Sequence, residues 1–175
     1  MAESRKYAHL VNQLTHHGGI GTPEEEKAEM APAYDGSIVN PPIFFNDKVF
    51  PNAKVWCEIL HAYAPGGSFG TPVLAGMPSG HRHNFDECFL FLGSNPDNID
   101  ELGGEVEFWL GEGDEAEKYM ITKATAIYIP AGTTHSPCVY RKVNNPLQPI
   151  ILVVIATQGN YEFGENRPLP TNFKL

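Results

Sequence analysis

Two histidines and a glutamate in one short stretch have the types and the spacing that bind metal ions. His81 and His83 lie two residues apart, and Glu87 follows at the same odd parity. On a β-strand, residues i and i+2 point to the same face, roughly 6.5–7 Å apart. Two imidazoles and a carboxylate on one face are suitable ligands for a divalent ion. The alternative is a solvated strand surface, but Phe89 and Phe91 continue the same parity and indicate a buried face.

A fourth candidate ligand, His135, follows a predicted tight turn further along the chain. Pro130 and Gly132 precede it. Proline fixes its own φ and glycine accepts positive φ, so this pair predicts a turn that sends the chain into a return strand. His135 is then placed at the start of that strand.

These two stretches resemble the signature motifs of the cupin superfamily, which are H-x-H followed by a glutamate, and later P-x-G-x-x-H. The resemblance covers roughly residues 54–157. It implies an all-β, single-domain antiparallel β-barrel or double-sheet jelly roll. It also implies one divalent transition metal at the mouth of the barrel, held by three histidines and one glutamate. Carried over by position, the ligands are His81, His83, Glu87 and His135.

The composition favours a single acidic globular domain. The chain has 175 residues, 17 glycines, 15 prolines and a formal net charge of −9. Such a charge disfavours nucleic acids and anionic membranes as partners. The sequence has no apolar stretch long enough to span a membrane, and its start lacks the apolar core of a signal peptide, so we expect a cytoplasmic protein.

The flanks of the barrel are predicted to be an N-terminal helix and arm (1–53) and a C-terminal tail that packs on the barrel (158–175). Ser4 as cap and the spacing of Tyr7, Leu10, Val11 and Leu14 predict a short helical extension over residues 4–17. Thr22 and Pro23 suggest a second helix start, and residues 31–53 are a proline-rich arm. With the apolar run at 150–155, this arm favours a homodimer.

The strand patterns also predict which side chains line the substrate cavity. Phe89 and Phe91 share the ligand parity, and Phe108 lies on the inward face of an alternating strand. His61 and Tyr63 share a parity on an earlier strand. His61 is therefore a candidate catalytic acid or base with Tyr63 in the pocket; the alternative is a hydrogen-bonded histidine at a strand end.

Four protein ligands leave open positions on a five- or six-coordinate ion, which predicts chemistry on a small oxygen-rich organic substrate. Fe²⁺ or Mn²⁺ suits the mixed nitrogen and oxygen donors, although Ni²⁺, Zn²⁺ and Cu²⁺ bind such sites at least as tightly. A dioxygenase-type oxidoreductase is the first hypothesis. The alternatives are a redox-neutral isomerase, tautomerase or lyase in which Glu87 or His61 moves a proton, and a non-catalytic barrel that only binds a small molecule.

Overall fold

The computed structural model describes residues 7, 10–11, 14–15, 18–19, 43–68, 80–160 and 164–174. Within these ranges the chain forms thirteen strands and a 3₁₀ turn at Gly113–Glu115. The strands are β1 (Leu14–Thr15), β2 (Gly18–Gly19), β3 (Ile43–Phe45), β4 (Trp56–Ala62), β5 (Gly66–Ser68), β6 (Gly80–Arg82), β7 (Glu87–Leu92), β8 (Glu101–Leu110), β9 (Glu117–Lys123), β10 (Thr125–Ile129), β11 (His135–Val143), β12 (Ile150–Ala156) and β13 (Glu165–Arg167). None of the described helical segments is long and apolar enough to cross a membrane.

Two antiparallel sheets make up the body of the protein. The first sheet has the strand order β10-β7-β12-β4-β3, and the second has the order β13-β6-β11-β8-β9, with β5 also paired to β11. Every registered pair in both sheets is antiparallel. The predicted all-β, double-sheet architecture is confirmed.

The core lies between the two sheets and is built by period-2 alternation. On β7, Glu87, Phe89 and Phe91 are buried while the residues between them are half-buried or exposed. The predicted apolar run at 150–155 lies on β12, where Leu152 and Val154 face the core. Its intervening residues are only half-buried, because they face away from the second sheet.

The predicted helix over residues 4–17 is wrong where the structure describes it. Leu14–Thr15 is a strand, and it pairs antiparallel with Gly18–Gly19. Both short strands lie beside Ile43–Phe45 at the edge of the first sheet. Glycine is a poor helix former, and contact with a sheet edge outweighs the weak helical preference of this segment. The helix start expected at Thr22 lies outside the described residues.

The C-terminal residues cover part of the outer face of the second sheet. Phe173 packs edge-on against Trp109, with ring centroids 6.4 Å apart. Glu107 points outward yet is only 6% exposed, and it accepts hydrogen bonds from Trp109 Nε1 (2.7 Å) and Arg141 Nε (3.0 Å). Burial alone would raise the pKa of Glu107, but these two donors outweigh it, so the pKa lies below its usual value.

The alternation on β7 predicts a large difference in stability between two neighbouring substitutions. Phe91 is fully buried, whereas Leu92 is 38% exposed on the opposite face. Phe91→Ala should lower the free energy of unfolding by about 3–5 kcal/mol, because it opens a cavity in the core. Leu92→Ala, the matched control, should change it by about 1 kcal/mol or less. Urea denaturation measures both, and equal losses would contradict the assigned faces.

Candidate metal centre

Both sheets deliver polar side chains to one buried point at the end of the core. His81 lies on β6, His83 follows it, and Glu87 begins β7 in the other sheet. His135 begins β11, where it is the register partner of His81. One ligand atom from each of the four residues lies within 4.8 Å of the others, and all four side chains are buried. The four residues that the sequence singled out are thus brought together, although Glu87 lies on the opposite sheet from His81 and His135 and not on a shared strand face.

A glycine turn holds the two motif segments against each other. Gly132 has φ +83°, and its N–H donates a 2.7 Å hydrogen bond to the carbonyl of His83. The neighbouring Ala131 N–H donates to Asp86 Oδ1 at 2.8 Å, and the Tyr128 hydroxyl donates to Asp86 Oδ2. These bonds lower the pKa of Asp86, the tyrosine contributing most. The turn predicted before His135 thus carries the hydrogen bonds that join this motif to the segment of His83 and Asp86.

The orientation of His135 is fixed by the same turn. Its Nδ1 lies 3.0 Å from the carbonyl oxygen of Thr133. A carbonyl only accepts hydrogen bonds, so Nδ1 carries the proton and donates it. The lone pair of Nε2 then faces the cluster, 2.9 Å from Glu87 Oε2. His83 Nε2 lies 3.5 Å from the same oxygen.

Several polar atoms at this point are buried and have no hydrogen-bond partner among the described residues. They include both carboxylate oxygens of Glu87, Nε2 of His135 and Nδ1 of His81. The 2.9 Å approach of His135 to Glu87 is not aligned as a hydrogen bond, so it does not satisfy either atom. Buried polar atoms cost free energy unless something pairs with them. A cation bound between them satisfies all of them together.

The protonation state of His81 also suits a metal ligand. Its pKa lies well below the ordinary value of 6.5, chiefly because burial disfavours the charged ring and further because His135 and His83 are close. A neutral imidazole retains the lone pair that a metal ion needs. The donor set is three imidazole rings and one carboxylate at the end of a double-sheet core, as the motif resemblance implied.

The double-sheet, all-β fold and the four converging residues fit the resemblance to the cupin motifs. No protein-family model matches the chain, and no curated protein matches it. Several solved structures are similar to the chain. An oxalate decarboxylase variant from Bacillus subtilis has 10% identity and a TM-score of 0.45, covering 69% of this chain and 26% of that one. Recombinant oxalate oxidase in complex with glycolate has 10% identity and a TM-score of 0.49, covering 75% and 56%.

A third similar structure is vicilin from Corylus avellana, with 13% identity, a TM-score of 0.45, and coverage of 70% of this chain and 31% of that one. The chain therefore spans between about a quarter and just over half of the length of these three proteins.

The predicted aromatic lining lies next to the four candidate ligands. Phe89 packs against His135 with ring centroids 5.8 Å apart, and against Phe108 at 5.2 Å. Phe91 contacts both phenylalanines from one row deeper. All three are at most 2% exposed. They form a packed aromatic wall between the ligands and the rest of the core, and their contact with substrate stays a prediction.

The structure does not bring His61 or Tyr63 to the ligands. On β4 the core-facing residues are Trp56, Leu60 and Ala62, and His61 alternates with them on the outward, half-buried face. Its register partner is Ile151, which is also half-buried. The inward parity of this strand is the even one, whereas the sequence pattern placed His61 and Tyr63 on the odd one.

Two residues near the site escaped the sequence patterns. Phe85 stacks on His83 with ring centroids 4.5 Å apart and an interplanar angle of 17°. Glu58 is fully buried on the inward face of β4, a second carboxylate inside the barrel. The odd parity of Phe85 with His83 and Glu87 was an available signal for the first. No polarity pattern marks Glu58, because it stands at a core position.

Ion pairs brace the rim above the ligands. Arg82, which alternates with the two motif histidines, donates to Glu165 at 2.8 Å, and so β13 is tied to β6. Arg167 binds Glu112 through two nitrogens, one of them at 2.6 Å. The hydrogen bonds from Arg167 lower the pKa of Glu112 to about 2. Glu112 also accepts from Thr134, the residue before the ligand His135.

The cluster predicts the metal content of ligand variants. Purified wild-type protein should hold about one divalent ion per chain, and His83→Ala or His135→Ala should empty the site. His61→Ala is the matched control, because this histidine lies on the outer face, and it should retain the ion. Elemental analysis of the folded variants decides the question. A full complement of metal in His135→Ala would contradict the assignment.

The lowered pKa of His81 predicts a pH dependence for the metal-free protein. An unfolded chain takes up this proton near pH 6.5, but the folded chain takes it up only at much lower pH. The contribution of His81 to the free energy of unfolding is therefore fully present above pH 6.5. It is lost as the pH falls below that value, by up to about 1.4 kcal/mol per pH unit.

Urea denaturation of chelator-treated protein between about pH 7.5 and about pH 5.5 measures this slope. His81→Gln removes the titrating ring and should flatten the slope by close to one proton. Identical slopes for the variant and the wild type would show that His81 does not titrate as described.

Proposed function

We propose that this cupin is a mononuclear metal-dependent enzyme that acts on a small oxygen-rich organic substrate, most simply as a dioxygenase-type oxidoreductase. The observation that carries the proposal is the buried set His81, His83, Glu87 and His135, whose ligand atoms converge within 4.8 Å. Four ligands leave coordination positions open, which is typical of catalytic rather than structural metal sites.

A bound divalent ion would supply Lewis-acid polarisation of a substrate oxygen at those open positions. The ion we favour is Fe²⁺ or Mn²⁺, because the donors mix imidazole nitrogen with carboxylate oxygen, while Ni²⁺, Zn²⁺ and Cu²⁺ compete for the same site. The Bacillus subtilis oxalate decarboxylase has Mn(II) centres. That fact supports manganese here only as an analogy of fold.

The chain's own residues would position the substrate and move its proton. Glu87 Oε2 lies toward His83 and His135, which leaves Oε1 as the atom that can accept a proton from a substrate hydroxyl. The Thr133 carbonyl keeps His135 in the required tautomer. Phe89 and the other two phenylalanines exclude water from the space beneath the ligands, which strengthens electrostatic interactions there.

The homodimer and the cytoplasmic location stay predictions from the sequence. Support for association comes from the outward face of the first sheet, where half-buried aliphatic side chains adjoin one another across three strands. They are Ile59, Leu90, Ile151, Val153 and Ile155.

Glu87→Gln tests the proposed proton transfer. This change keeps the volume but removes the negative charge, so kcat per bound metal ion should fall by about 100-fold or more while KM changes little. Metal content is measured first, so that loss of the ion is not mistaken for loss of the base. Glu105→Gln, a carboxylate 3.9 Å from Lys142 on the outer surface, should match the wild type.

Oxygen consumption defines the reaction class. Fe²⁺- and Mn²⁺-loaded protein is supplied with enols, keto acids and sugars in an oxygen electrode. Oxygen uptake that matches substrate loss supports the dioxygenase. Conversion without oxygen uptake would instead assign a redox-neutral isomerase, tautomerase or lyase. Stoichiometric binding without turnover for every ion would replace the enzyme by a binding protein.

A further inference from the structure

The short strand β6, which carries His81, is held between two neighbouring strands. On one side His81 pairs with His135 of β11, and on the other side it pairs with Asn166 of β13. β6 is only three residues long, Gly80–Arg82, and the register of β13 covers all three of them. The C-terminal strap, which we define as residues 164–167, is therefore part of the frame that holds this ligand segment.

Gly164 of the strap lies directly behind the ligand His83. A Cβ at Gly164 would lie 1.8 Å from the carbonyl oxygen of Arg82 and 2.8 Å from Nδ1 of His83. Nε2 of the same ring faces the cluster, 3.5 Å from Glu87 Oε2. One ring nitrogen of His83 thus faces the candidate metal position and the other faces the strap. Glycine is needed at position 164, because only a residue without a side chain lets the strap backbone come this close.

A series of ion pairs and hydrogen bonds holds the strap at this distance. Arg82 donates to Glu165 at 2.8 Å, and Arg167 donates to Glu165 at 3.1 Å. Arg167 also donates to Glu112 through two nitrogens, and Glu112 accepts from Thr134 Oγ1 at 3.2 Å. The series therefore joins the two residues that immediately precede two of the four candidate ligands.

The bidentate pair of Arg167 and Glu112 is the strongest part of this series. Nε of Arg167 binds Oε2 of Glu112 and Nη2 binds Oε1, and the Arg167 side chain is only 25% exposed. Such a pair fixes orientation as well as distance, whereas the more exposed pair of Arg82 and Glu165 is weakened by solvent. Lysine would not replace Arg167, because one ammonium group does not bind both oxygens in a fixed geometry.

We propose that the C-terminal strap positions a ligand of the metal centre: Gly164 supports the ring of His83 from behind, and the pair of Arg167 and Glu112 keeps the strap closed. A ring that is already held in place loses less rotational freedom when it binds an ion. The inference rests on the metal binding of the proposed function but not on the reaction. Metal affinity should therefore depend on residues outside the ligand set.

The first test is Zn²⁺ affinity, measured by competition between the full-length protein and a chromophoric chelator. Gly164→Ala must push aside either the strap or the ring of His83, so it should weaken Zn²⁺ binding by about tenfold or more. Gly93→Ala is the matched control, since a Cβ there would lie 2.0 Å from the carbonyl oxygen of Glu101, at the end of β7 remote from Glu87. This control should lower stability to urea but bind Zn²⁺ like the wild type.

The visible absorption of Co²⁺-loaded protein gives a readout that lost stability alone would not change. At saturating Co²⁺ the spectrum reports the geometry of the bound ligands. Gly164→Ala should alter the spectrum because His83 is displaced, whereas Gly93→Ala should reproduce the wild-type spectrum.

Arg167→Gln tests the other half of the proposal at a partly exposed position that leaves the core intact. It should weaken Zn²⁺ binding by about three- to tenfold, and Arg167→Lys should not restore the affinity. Adding Glu112→Gln to Arg167→Gln should weaken binding little further, because both changes break the same link. Lys123→Gln removes the same charge from an exposed pair with Glu101 and should match the wild type.

Two results would overturn the proposal while the metal centre and the proposed function stand. Equal Zn²⁺ affinity in Gly164→Ala and Gly93→Ala would remove the role of Gly164. Equal affinity in Arg167→Gln and Lys123→Gln would remove the role of the ion pair, and this comparison decides the question if Gly164→Ala does not fold. A wild type that binds no Zn²⁺ or Co²⁺ would instead overturn the proposed function, and this inference with it.

Discussion

A carboxylate buried among three imidazole rings is the constraint on which the rest of this structure depends. Glu87 is 1% exposed, and neither of its oxygens has a hydrogen-bond partner among the described residues. Burying an ionised carboxylate costs several kcal/mol unless opposite charge accompanies it. A cation in the space between the carboxylate and the rings supplies that opposite charge, and the rings must be close and neutral to bind it. The hydrogen bonds around the site keep the rings close to Glu87 or orient them to bind a cation.

The need to join two sheets at one point explains the backbone around the site. Glu87 belongs to the first sheet, whereas His81 and His135 belong to the second. Independent movement of the sheets would separate the carboxylate from the rings. The bonds from Gly132 to His83 and from Ala131 to Asp86 cross this junction, and both use main-chain donors. Main-chain bonds of this kind fix the distance between sheets more firmly than two long side chains would.

The four residues that the sequence singled out converge in the structure, and this could be predicted because residues on β7 differ strongly between its two faces. Glu87, Phe89 and Phe91 share one parity, and the motif spacing added His81, His83 and His135. The sequence did not identify the inward face of β4, because the residues of both parities on this strand are largely apolar. Trp56 and Leu60 face the core, but Cys57 and Ile59 are also well covered on the outer side, so alternation alone does not tell inside from outside.

Long-range packing accounts for the other differences. The helical spacing of Leu14 with its neighbours is real, yet contact with the edge at Ile43–Phe45 selects a strand. Glu107 alternates outward as its pattern predicts, but it is buried beside Trp109 and Arg141, which are in turn contacted by Phe173 and Lys174. The edge at Ile43–Phe45 and the C-terminal residues are both distant in sequence from the segments they contact, and single-sequence periodicity carries no information about which distant segment will cover a given face.

The support of His135 by the carbonyl of Thr133 has an evolutionary consequence. Every residue type has a main-chain carbonyl, so this bond does not depend on which side chain occupies position 133. Substitution there leaves the tautomer of the ligand intact as long as the turn keeps its shape. Sequence drift can thus proceed around the site without touching its chemistry, and an alignment of relatives would not identify Thr133 as important. The orientation of His135 is therefore fixed by the backbone path of the turn and not by the identity of the side chain at position 133.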